Sequence, residues 1–100
     1  MTTKEWRILL KNLRASFPVE APVTIRKRPK IDCAATIFDG AHYRITINSD
    51  QPDVGLIDSI LHEWAHVKTI EEAYRHGGRW AENFGEIYQA WCDGFKNEQR

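Results

Sequence analysis

Apolar side chains follow a helical spacing through the first seventeen residues of the chain. They recur at intervals of three and four positions: Trp6, Leu9, Leu10, Leu13 and Phe17. This spacing predicts an amphipathic helix. Thr2 or Thr3 is a suitable N-cap, and Pro18 ends the helix because proline cannot continue it.

The pattern between Val19 and Asp50 is that of β-strands. Three segments are rich in β-branched and aromatic side chains, at residues 23–25, 34–38 and 42–48. The dipeptide Asp39-Gly40 separates the last two and is a strong hairpin signal. In the third segment apolar and polar residues alternate, which predicts one buried face made of Tyr43, Ile45 and Ile47. We therefore predict a small antiparallel sheet.

The second half of the chain returns to helical spacing. We predict one helix from about residue 54 to about residue 70, with Asp53 as its N-cap, and another from about residue 79 to Lys96. The segment His76-Gly77-Gly78 separates them. The last helix carries an apolar stripe that we expect to lie in the core: Trp80, Phe84, Ile87, Tyr88, Trp91 and Phe95. This order of elements indicates an α+β domain.

Composition narrows the class of protein. Fourteen basic and fourteen acidic residues give a formal net charge of zero, which argues against a general nucleic-acid coat protein. Hydrophobic residues make up 42% of the chain, which is typical of a globular protein. Cys33 and Cys92 lie too far apart to suggest a disulfide framework or a thiolate zinc cluster. Because we find neither a signal peptide nor a membrane span, we expect a cytoplasmic protein.

Two of the four histidines form the motif His62-Glu63-Trp64-Ala65-His66. Residues four apart on a helix share one face, so both imidazoles can bind the same metal ion. Glu63, beside the first histidine, points to the side of that face. There it reaches a water on the metal and takes its proton, so we predict Glu63 as the catalytic base.

The rest of this predicted helix supports a metal site. At about 100° per residue, four further polar or small residues fall within about 60° of His62, as His66 does: Gly55, Asp58, Ser59 and Thr69. The remaining arc is apolar and is expected to be buried: Val54, Leu56, Ile57, Ile60, Leu61, Trp64 and Val67. The helix therefore has one polar strip, and that strip carries both histidines.

A catalytic zinc ion needs a third protein ligand and keeps a fourth position for water. His76 follows His66 by ten residues, and the two glycines after it allow the imidazole to fold back over the metal. Glu82 and Glu86 on the following helix are the competing ligands. We predict His76 as the third ligand, with Glu82 or Glu86 as the alternative.

The segment from Leu61 to His66, followed by His76-Gly77-x-x-Trp80, resembles the SprT-like (Spartan-type) zinc metallopeptidases, above all the small stand-alone versions of phages and prophages. The resemblance extends from about residue 57 to about residue 91, and loosely over the preceding strands. It implies that His62, His66 and His76 hold the zinc and that Glu63 is the base. Two features depart from the family: Gly78 replaces the usual proline, and the nine-residue connection between His66 and His76 is short.

The resemblance also bears on partners. Many members carry a zinc ribbon after this domain, and two cysteines are too few for one. We therefore expect a polypeptide substrate and no nucleic-acid binding by this domain alone.

These observations predict a single SprT-like domain over residues 1–100: a minimal zincin-like α+β fold with an N-terminal helix, a small antiparallel sheet, the HExxH helix and a C-terminal helix. One Zn²⁺ per chain would serve peptide hydrolysis. The strand at residues 42–48 would lie along the cleft and pair with an extended peptide, whereas His42 itself is expected to be an ordinary surface residue. Tyr74, Arg75 and Arg79 are near enough in sequence to assist the oxyanion.

Two alternative functions remain open at this point. One is a repressor-cleaving or toxin-linked HExxH peptidase with an acidic third ligand. The other is an interaction module that keeps zinc for stability and has no turnover.

Overall fold

The computed structural model describes residues 1–71 and 76–95. They form three helices and one three-stranded sheet, which confirms the α+β class. The helices are α1 (Thr3–Ser16), α2 (Asp53–Lys68) and α3 (Gly78–Cys92), and the strands are β1 (Val23–Arg28), β2 (Ala35–Phe38) and β3 (Tyr43–Asn48). No helix within these residues has the length and apolar character needed to cross a membrane.

The turn between β2 and β3 is the hairpin expected from Asp39-Gly40. The Asp39 carboxylate accepts hydrogen bonds from the backbone N–H groups of Ala41 and His42, at 3.0 and 2.8 Å. These bonds lower the pKa of Asp39. Gly40 has a φ of +98°, in the left-handed region that favours glycine. The two strands are antiparallel, with Thr36 opposite Ile45.

The prediction of an antiparallel sheet is wrong for β1, which pairs in parallel with β3 from Val23 opposite Tyr43 to Arg28 opposite Asn48. The sheet is mixed, with the order β1-β3-β2. The reason is topological. The hairpin places β2 on one edge of β3, so β1 takes the other edge. The chain reverses twice between β1 and β3, and the two strands therefore run in the same direction.

The core lies between α1, α2 and one face of the sheet. The predicted alternation in β3 is confirmed, since Tyr43, Ile45 and Ile47 are buried. On α1, Trp6, Leu9 and Leu13 are buried as predicted, and Thr2 caps the helix by accepting a hydrogen bond from the Glu5 N–H at 3.1 Å. The other face of the sheet is left exposed.

Helix boundaries differ from the predictions by one to four residues. Asp53 is the first residue of α2 rather than its N-cap, and its carboxylate pairs with the N-terminal ammonium group at 2.5 Å. Val54, predicted to be buried, is 71% exposed because it lies in the first turn of α2. α2 ends at Lys68, before Ile70. α3 is shorter than predicted: it ends at Cys92, with Asp93 as its C-cap, and does not continue to Lys96.

Trp64 anchors α2 inside the core. Its side chain is fully buried, and its indole N–H donates to the backbone carbonyl of Phe17 at 3.0 Å. We expect Trp64→Ala to lower the free energy of unfolding by about 3–5 kcal/mol, because it leaves a cavity and an unpartnered carbonyl. Val54→Ala, on the same helix but exposed, should change it by less than about 0.5 kcal/mol. Urea unfolding measures both, and equal losses would contradict this account of the core.

Candidate metal centre

His62 and His66 lie on the polar strip of α2, as predicted. Both side chains are half-buried, and their Nε2 atoms are 3.2 Å apart. The strip faces away from the core because the opposite side of the helix is buried in it through Ile60, Trp64 and Val67. A rigid helix therefore presents two imidazoles toward one point.

His76 joins them from the turn before α3. Its Nε2 lies 3.0 Å from those of both His62 and His66. His76 has a φ of +65°, in the left-handed region, and Gly77 forms the N-cap of α3 directly after it. Gly78 is the first residue of α3.

The three nitrogens form a group whose chemistry fits a cation. An imidazole Nε2 either carries a hydrogen and donates or lacks one and accepts. In a triangle of three such atoms at most two contacts can be hydrogen bonds, so at least one pair is in conflict. A metal ion removes the conflict, because all three lone pairs then point at it. Edges of 3.0–3.2 Å allow each nitrogen to lie at the zinc–nitrogen distance of about 2.0–2.1 Å from one common point.

This triangle is the metal-binding group found among the described residues. It confirms that His62, His66 and His76 can together hold a metal ion. Glu82 and Glu86 occupy exposed positions on α3 and do not belong to the group. The structure thus brings the predicted histidine ligands together and leaves the predicted acidic alternatives apart from them.

Burial changes the pKa of one of these imidazoles, that of His62. The His62 side chain is partly removed from water, which lowers its pKa, and the nearby His76 lowers it further against the opposing effect of the Glu63 carboxylate. A lower pKa favours the neutral imidazole. Because metals bind the neutral form, His62 is suited to its role at neutral pH.

Glu63 lies beside the triangle and is buried, at 4% exposure. The Thr36 hydroxyl donates to its Oε1 at 2.7 Å. Its Oε2 lies 3.8 Å from the Nε2 of His62. One oxygen is thus held by the sheet, and the other lies on the side of His62.

Trp80 forms an aromatic wall against the histidines. Its ring centroid lies 4.8 Å from that of His62 and 4.5 Å from that of His76. Its indole N–H also points at the backbone carbonyl of His62, at 3.4 Å. Trp80 is partly buried and packs against the core, as predicted for the aromatic stripe of α3, and it contacts the histidines in addition. The prediction that the stripe lies in the core is wrong for Tyr88, which is 41% exposed, whereas Ile87 is buried as predicted.

A cleft of about 570 Å³ opens over the metal centre. Its far wall is formed by residues 33–36, which include the first two residues of β2, and not by the strand predicted to line it. β3 cannot serve as that strand because it is the central one, paired with β1 and β2 on its two edges. His42 precedes β3 and makes a 2.6 Å hydrogen bond with the Thr24 hydroxyl, apart from the residues that line the cleft.

The predicted oxyanion helpers are only partly covered by the structure. Tyr74 and Arg75 lie outside the described residues. Arg79 forms an ion pair with Glu71 at 2.9 Å. None of the residues that line the described cleft is an arginine or a tyrosine.

Sequence reasoning missed Thr36. It was predicted only as part of a strand, since a threonine within a β-branched run carries no chemical signature of its own. A signal was nevertheless available: Glu63 was placed at the side of the polar strip, near the buried arc, and a buried carboxylate requires a hydrogen-bond donor.

The candidate metal centre brings together the groups that hydrolytic chemistry requires. It combines three convergent imidazoles, a buried carboxylate beside them and a cleft that reaches both. No protein-family model, curated protein or solved structure matches the chain.

Proposed function

We propose that this protein is a zinc metallopeptidase of the SprT-like type, with a zincin-like arrangement of its α+β elements. The observation that carries the proposal is the position of the Glu63 carboxylate, whose Oε2 lies 3.8 Å from a nitrogen of the three-histidine group. A centre that only stabilises a fold is usually closed by four protein ligands. Three imidazoles with a carboxylate beside them are typical of hydrolytic zinc centres instead.

The histidines suit zinc among the common metals. Imidazole is a preferred ligand of Zn²⁺, whereas Mg²⁺ and Ca²⁺ take oxygen ligands. His62, His66 and His76 would hold one ion per chain. When bound, zinc activates a water molecule and polarises the carbonyl of the scissile bond.

Glu63 supplies the proton transfers. Oε2 is the free acceptor of its carboxylate, because Oε1 is engaged by Thr36. It accepts the proton of the attacking water and later delivers it to the leaving amide nitrogen. Burial of the carboxylate excludes bulk water from this exchange.

β2 is the strand suited to align a substrate. It is an edge strand: within residues 1–71 and 76–95, no strand pairs with its outer side. An extended peptide can add to such an edge through backbone hydrogen bonds, which favours a polypeptide substrate with little sequence restriction from the backbone itself. β3, the central strand, has no free edge for such a peptide.

Metal removal tests the proposal directly. We expect the purified, untagged protein to hold about one zinc per chain by elemental analysis and to cleave an unfolded protein substrate. A chelator should abolish the cleavage, and stoichiometric zinc should restore it. His42→Ala, which changes a histidine outside the group, is the matched control and should behave as wild type. Zinc-loaded protein without cleavage of any unfolded substrate would instead support the non-catalytic interaction module.

A further inference from the structure

The two oxygens of the Glu63 carboxylate have different surroundings. Oε1 accepts the Thr36 hydroxyl at 2.7 Å, while Oε2 faces His62. The Thr36 oxygen also lies 3.5 Å from the backbone carbonyl of Glu63. The Thr36 side chain, on the sheet, thus lies close to both the carboxylate and the backbone carbonyl of Glu63, the residue proposed as the base.

Thr36 is held where it is by the sheet. On β2 it pairs with Ile45 of β3, which is fully buried, and two residues later the ring of Phe38 stacks on Tyr43 with centroids 4.3 Å apart. A β-branched side chain on a strand has few χ1 rotamers. The direction of the hydroxyl is therefore set by strand register and does not depend on the metal centre.

Glu63 needs such a partner. It is rotated by about 100° from His62 around α2, toward the side that carries buried Leu56 and Val67. A carboxylate there without a donor would be costly, and its side chain would turn toward water. The hydrogen bond from the Thr36 hydroxyl keeps the carboxylate inside the protein, with Oε2 toward the Nε2 of His62.

We propose that Thr36 is a positioning residue for the reaction, acting through Glu63. This inference rests on the proposed peptidase function. Thr36 itself neither binds the metal nor transfers a proton. Its hydroxyl fixes the rotamer of the base, so that the accepting oxygen is already in place when substrate enters.

The activity test compares Thr36→Val with Thr36→Ser. Valine keeps the shape of threonine and removes the hydroxyl, so kcat should fall on the order of tenfold while KM and zinc affinity stay within about twofold. Serine keeps the hydroxyl and should restore most of the kcat. Thr46→Val is the matched control. Thr46 lies on β3 opposite Ala35, on the face of the sheet away from Glu63, and its substitution should leave kcat unchanged.

Two double variants separate positioning from a general structural effect. In a Glu63→Gln background, Thr36→Val should cause little further loss of activity, because the residue through which it acts is already disabled. In the metal-free protein, Thr36→Val should lower Tm by about 5–10 °C when Glu63 is present and by clearly less in a Glu63→Ala background. The second comparison needs no substrate.

The outcomes distinguish this inference from the proposed function. If Glu63→Gln abolishes cleavage and Thr36→Val retains full kcat, the positioning role is overturned and the peptidase stands. If Thr36→Val loses zinc in parallel with activity, its role is structural and the inference fails. If the wild-type protein shows no chelator-sensitive cleavage, the proposed function and the catalytic part of the inference both fail. If the Tm losses of Thr36→Val and Glu63→Ala simply add in the double variant, the Thr36–Glu63 hydrogen bond contributes nothing and the remaining part of the inference fails too.

Discussion

Glu63→Gln should yield a folded, zinc-loaded protein whose kcat is lower by about 10²–10⁴-fold. Glutamine has nearly the same shape as glutamate, and its side-chain carbonyl can still accept the Thr36 hydroxyl. It has no basic oxygen to take up a proton at the position of Oε2. The loss should therefore appear in turnover, whereas zinc content and Tm stay close to wild type.

The measurement pairs a cleavage assay with elemental analysis on the same preparation. Glu86→Gln is the matched control, since it makes the same chemical change at an exposed position on α3. It should retain wild-type activity. Full chelator-sensitive activity in Glu63→Gln would show that another group is the base, even if the zinc site is correct.

His76→Asn should weaken zinc binding by at least about 10²-fold. Loss of groups that merely orient metal ligands already costs about 10–100-fold, and His76 is proposed to contact the metal itself. Asparagine is chosen because it tolerates the left-handed backbone better than alanine, and His76 has a φ of +65°. The turn before α3 is thereby kept while the imidazole is removed.

Competition with a chromophoric chelator gives the affinity. His42→Asn makes the same change at a histidine outside the metal group and should bind zinc normally. Glu82→Gln and Glu86→Gln should also bind normally. If Glu86→Gln lost the metal while His76→Asn retained it, the third ligand would be acidic, and the repressor- or toxin-linked type of peptidase would replace the SprT-like assignment.

The local features of the fold and site were predictable from sequence because their causes are local. His62 and His66 share a face through the geometry of one helix. The β2–β3 hairpin follows from the turn chemistry of Asp39-Gly40. The convergence of His76 was predicted from its spacing and its glycines, and the structure brings it to 3.0 Å from the other two ligands.

Features that depend on packing between distant segments were not predictable in the same way. Nothing in the β1 sequence specifies which edge of β3 it joins, so its parallel pairing was not predicted. Because β3 was not recognised as the central strand, the position of β2 beside the cleft was not predicted either. Thr36 and Glu63 are 27 residues apart, and their contact exists only once β2 lies against α2. The core packing of Trp80 was predicted from its spacing, but its contact with the imidazoles was not, because spacing alone does not show that a ring touches both.

The two outer edges of the sheet differ in their resistance to aggregation. β1 is protected by Arg26, Lys27 and Arg28, and Arg14 donates to the carbonyl of Val23 at 3.2 Å. Charged side chains on an edge strand discourage unwanted pairing with other chains. β2 has no charged residue, and its Ile37 is 62% exposed. The β2 edge that is suited to bind a peptide is therefore also the edge through which copies of this protein would self-associate in concentrated solution. A peptide bound in the cleft would block that self-association by occupying the β2 edge.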